Sequence, residues 1–139
     1  ERLDPNEKKD ANFSLLSRII ERIGDHAVRI AKNSIILIDK EIDDDLIQII
    51  VNAGKLSKQI FNISIETFFD GNIDDANENI ERVPELIEMC KKIEQKALKQ
   101  DPEIAIALGY VAEGIRRTAE YSADLAEYII NFLISQSNT

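Results

Sequence analysis

Apolar residues return every third or fourth position along almost the whole chain, and that rhythm leaves room for little except long helices. Phe13, Leu16, Ile20, Ile23, Ala27, Ile30 and Ile38 trace one such stripe, the pattern of an amphipathic helix with a buried face. Nowhere does the chain alternate with period two, and no Asn-Gly pair offers a tight hairpin. The expected class is therefore all-α.

The interruptions are short and have helix-end chemistry. Residues 39–45 are acidic, and Asp43, Asp44 and Asp45 suit a helix start, by capping and by opposing the helix dipole. Asp70-Gly71-Asn72 is a turn by composition, with Gly71 free to take a positive φ. Asp101-Pro102 puts a capping residue before a proline in the first helical position. These marks predict helices near 9–39, 44–70, 73–100 and 102–135. Each has roughly 30 residues, or about 45 Å at 1.5 Å per residue. Long helices with short links favour antiparallel neighbours, so the expected architecture is four long antiparallel helices in an up-down bundle. Pro84 removes a backbone donor inside the third helix and predicts a kink or a restart there.

Composition narrows the function. A formal net charge of −9 repels nucleic-acid backbones and anionic lipid, so direct nucleic-acid binding by this segment is not expected. Its single cysteine, Cys90, cannot form an internal disulfide and fits a reducing, cytoplasmic compartment. No apolar run reaches the ~18 residues a bilayer requires, so membrane insertion is not expected either. The chain begins at Glu1 rather than Met, and residues 1–139 read as the C-terminal part of a longer protein. A DNA-binding domain is one candidate for what precedes it.

Two segments resemble each other. The first is Ile20-Glu21-Arg22-Ile23-Gly24-Asp25-His26-Ala27-Val28-Arg29-Ile30-Ala31. The second is Ile115-Arg116-Arg117-Thr118-Ala119-Glu120-Tyr121-Ser122-Ala123-Asp124-Leu125-Ala126. Each carries Arg, a small residue, an acid, another small residue and a closing aliphatic-Ala pair. Gly24, Ala27 and Ala31 on one helix, and Ala119, Ser122 and Ala126 on the other, form narrow faces that allow two backbones to approach closely. On this reading Gly24 lies in a close-packed spine between the two helices.

The stretch Glu21-Arg22-Ile23-Gly24-Asp25-His26-Ala27 resembles the signature of the PhoU family of phosphate-uptake regulators. The second segment is similar to a degenerate variant found in archaeal members. The resemblance implies tandem three-helix repeats, with this chain covering the last helix of the first repeat and the whole of the second. It also implies regulation by docking, with a phosphate transporter's ATPase or a sensor or transcriptional regulator as partner, and self-association as a homo-oligomer. As cofactor it implies iron or another divalent metal ion, held by the acidic residues Glu21 and Asp25, with Glu120 and Asp124 as the second pair. The second segment departs from the signature, with Arg116 where the family has Glu and Glu120 where it has Asp. The stretch Glu81-Arg82-Val83-Pro84-Glu85 matches the family's neighbouring acidic segment poorly.

Other readings of these residues stand beside that one. Carboxylates at i and i+4 share a helix face and suit a cation, but Arg22 and Arg29 are placed to neutralise Asp25, and Arg116 and Arg117 to pair with Glu120. His26, the only histidine, invites a histidine phosphotransfer bundle with Gly24, Arg29 and Lys32 nearby. A di-iron centre needs paired Glu-x-x-His motifs, which one histidine cannot supply. Cys90, between Met89 and Lys91, reads as a packed thiol. There is no glycine-rich phosphate loop. The apolar runs 35–38 and 128–134 exceed one helix face and need a partner, either further helices or a second copy. The chain is thus expected to be a regulatory docking module and not an enzyme, with service to another ion transporter as a variant of that role.

Overall fold

A computed structural model describes residues 4–137, with backbone only for 5 and 8–10. It is all-helical, and no strand occurs among the described residues. The helices are α1 (Pro5–Leu37), α2 (Asp44–Asp70), α3 (Ile73–Glu81), α4 (Val83–Ala97) and α5 (Pro102–Ser137). The expected third helix is interrupted at Arg82. Pro84 sits in the first turn of α4, where its missing N–H costs no helical bond, so the proline restarts the helix.

Helix ends follow local chemistry. Gly71 closes α2 in the left-handed conformation with φ 69°, and its N–H donates to Thr67 O. Asn72 then caps α3, its side chain accepting from Asp75 N. Asp43 occupies the cap position of α2 without a side-chain hydrogen bond, leaving Asp44 and Asp45 to face the first turn. The start of α1 differs from the expected residue 9. Asp4 and Glu7 form a reciprocal capping box, with Pro5 behind the cap, the same Asp-Pro grammar that opens α5.

In the helical bundle, α5 is the hub. It packs against every other helix, whereas the backbone of α1 comes close to α5 alone. The arrangement is thus a three-helix unit of α2, α3–α4 and α5, with α1 laid along the outside of α5. Direction is fixed by paired contacts. His26 meets Tyr121, Arg29 meets Glu113 and Lys40 meets Glu103, so α1 and α5 are antiparallel. Ser57 Oγ donates to Ile115 O at 3.0 Å, and Ser64 Oγ to Ser122 O at 2.8 Å, so α2 and α5 run parallel.

A hub helix must be thin on several sides. Ala107, Ala112, Gly114, Ala119, Ser122, Ala123 and Ala126 supply that thinness, while Leu108, Val111, Ile115, Leu125 and Ile129 fill the core between helices. The main cluster joins α5 to Leu46, Leu56, Ile60, Leu86, Cys90 and Ile93. A second gathers Ile19, Ile23, Leu125 and Ile129, with Phe61, Ile65 and Leu133 packed on it. Within the run 128–134, Ile129 packs in that second cluster between α1 and α2 and Ile130 is also buried, whereas Ile134 is 46% exposed.

Candidate functional site

The two similar segments meet along the α1–α5 seam, though not as the small residues suggest. Gly24, Ala27 and Ala31 are exposed, and a Cβ built on Gly24 would touch nothing within 4 Å. The close-packed spine through Gly24 is therefore incorrect. The close approach lies at Gly114, where an added Cβ would come within 2.6 Å of Ile30 Cγ1 and 3.3 Å of His26 O. Sequence could not separate the two, since both are helix-interior glycines. On α5, Ala119, Ser122 and Ala126 are fully buried, but the serine contacts place α2 over this stretch.

His26 is a half-buried ring of the seam and not a free surface imidazole. It stacks on Tyr121 with centroids 5.8 Å apart, and its Nδ1 is enclosed without a hydrogen-bond partner. Burial, helped by the Arg29 charge, lowers its pKa. Arg22 lies over the Tyr121 ring, and Arg29 over the Tyr110 ring at 5.3 Å while also reaching Glu113 at 3.9 Å. Both arginines turn toward aromatic faces of α5 and neither pairs with Asp25, which corrects the intrahelical pairing considered above. Tyr110, Glu113 and Tyr121 complete the seam. Their i, i+3 and i+11 spacing, which puts all three on one face of α5, was the available signal.

The metal-binding candidates do not form one site. Glu21 and Asp25 are exposed on α1. Glu120 is held by Arg116 at 3.5 Å and Arg117 at 3.3 Å, the pairing anticipated for it. Asp124 is exposed beside it, and burial plus the Glu120 charge raise its pKa. Among the described residues, no three His, Cys, Asp or Glu side chains gather so as to hold a metal ion. Each pair offers at most two carboxylates, and one of those four is already neutralised twice, so the arrangement does not fit a resident metal. Cys90 is fully buried, and burial pushes its thiol pKa up to about 12, so it is a protonated core side chain.

What α1 does present is apolar surface. Leu16, Ile19, Ile23 and Ile30 face α5, but Phe13, Ile20, Val28, Ile35 and Ile38 are exposed, Ile35 at 67% and Ile38 at 80%. The stripe read from sequence as one buried face is thus two faces. Phe13, Ile20, Gly24, Ala27, Ala31, Ile35 and Ile38 share the second, at intervals of three, four or seven. Glu21 stands one heptad from Val28 and borders this uncovered face, with Lys32 and Asp25 further round on the same side.

No family model matches the chain, and no curated protein or solved structure is significantly similar to it. The PhoU resemblance stands on the signature residues alone. No helix among the described residues is long and apolar enough to cross a membrane.

Proposed function

We propose that this chain is a regulatory docking module that acts by binding another protein and carries out no chemistry of its own. The supporting observation is the uncovered face of α1. An amphipathic helix with a second apolar stripe, bordered on one side by Glu21, is the complement of a partner with an apolar surface of its own. The signature resemblance suggests where such a partner belongs: the cytoplasmic control of phosphate uptake, through a transporter ATPase or a phosphate-responsive sensor or regulator. In this role α5 is the rigid spine, and the α1–α5 seam fixes how the stripe is presented.

The test is binding of the purified chain to the phosphate-transporter ATPase subunit and to the phosphate sensor of its own organism, measured by biolayer interferometry. Phe13→Asp/Ile35→Asp should abolish binding while leaving the melting temperature within a degree or two, because both side chains are exposed. Binding that survives the double variant, or that is missing for every such partner, overturns the reading. A parallel incubation with labelled acetyl phosphate should leave His26 unlabelled. An acid-labile, His26-dependent label would favour phosphotransfer instead.

A further inference from the structure

We draw no further inference here: the strongest candidate, the uncovered apolar face of α1 that runs from Phe13 to Ile38, belongs to the docking surface already described, and nothing in the structure shows what covers it.

Discussion

Residues 20–31 and 115–126 carry side chains of similar type in similar order, yet one segment is largely solvated and the other largely buried. In α1 only Ile23 and the His26–Ile30 edge turn inward, while Gly24, Ala27, Val28 and Ala31 face water. In α5, Ile115, Ala119, Ser122, Leu125 and Ala126 are all buried. The difference lies in the number of neighbours. α5 is covered on several sides by α1, α2 and α3–α4, whereas α1 lies along α5 with only Phe61 and Ile65 of α2 packed on their shared cluster. Small residues therefore mean different things in the two segments. On α5 they admit the serine hydroxyls of α2 to the helix backbone, and on α1 they leave an open groove between exposed aliphatic side chains.

The largest break in this comparison comes from one truncation on each side. Leu125→Ala, at a position 1% exposed, should destabilise the chain by about 2–5 kcal/mol in urea unfolding. Ile35→Ser, on the open face of α1, should change stability by no more than about 0.5 kcal/mol. If Ile35→Ser proves as costly as Leu125→Ala, the α1 face is covered and the contrast fails.

The glycines sharpen the same point. Gly114→Leu forces atoms into Ile30 and the α1 backbone and should cost about 1–3 kcal/mol. Gly24→Ala meets nothing and should stabilise the chain by about 0.5–1 kcal/mol through helix propensity. Thermal melts of both variants decide whether the close approach is at Gly114. Ser64→Ala removes a buried hydroxyl shared among Ile60 O, Ser122 O and Asn79, and should cost about 1 kcal/mol.

Smaller effects test the seam electrostatics. The fold lowers the His26 pKa below its ordinary 6.5, so the folded chain favours the neutral ring. Its stabilisation is complete above pH 6.5 and is lost as pH falls through the folded value, where Arg29 and Arg117 oppose the new charge and Glu113 and Asp25 partly offset them. His26→Gln should flatten the melting temperature between pH 7 and 5 relative to wild type. The smallest expected change is for Glu21→Ala/Asp25→Ala with and without EDTA. Two exposed carboxylates without a third ligand predict the same melting temperature in all four samples. A chelator-dependent fall confined to wild type would restore a metal site there.

Much of the fold was legible because helix grammar is local. Gly71, Asn72, Asp101-Pro102 and the restart at Pro84 act on their own backbone, and each marks a helix boundary in the structure. Asp4-Pro5 with Glu7 obeys the same rules and was legible too, although the apolar rhythm placed the start of α1 later. The Glu120 ion pairs are likewise local, set by i+3 and i+4 spacing.

What the sequence determined by itself, then, is the all-helical class, the helix ends and the existence of two similar segments, because these depend on chemistry within a few residues. Only the tertiary structure decided that α5 is the hub, that Gly114 and not Gly24 marks the close approach, and that one face of α1 stays open. It also tied Asn79 of α3 to Ile60 and Ser64 of α2. Each of these depends on which helix lies across from which, and a periodic apolar pattern specifies that a face is apolar without naming what covers it.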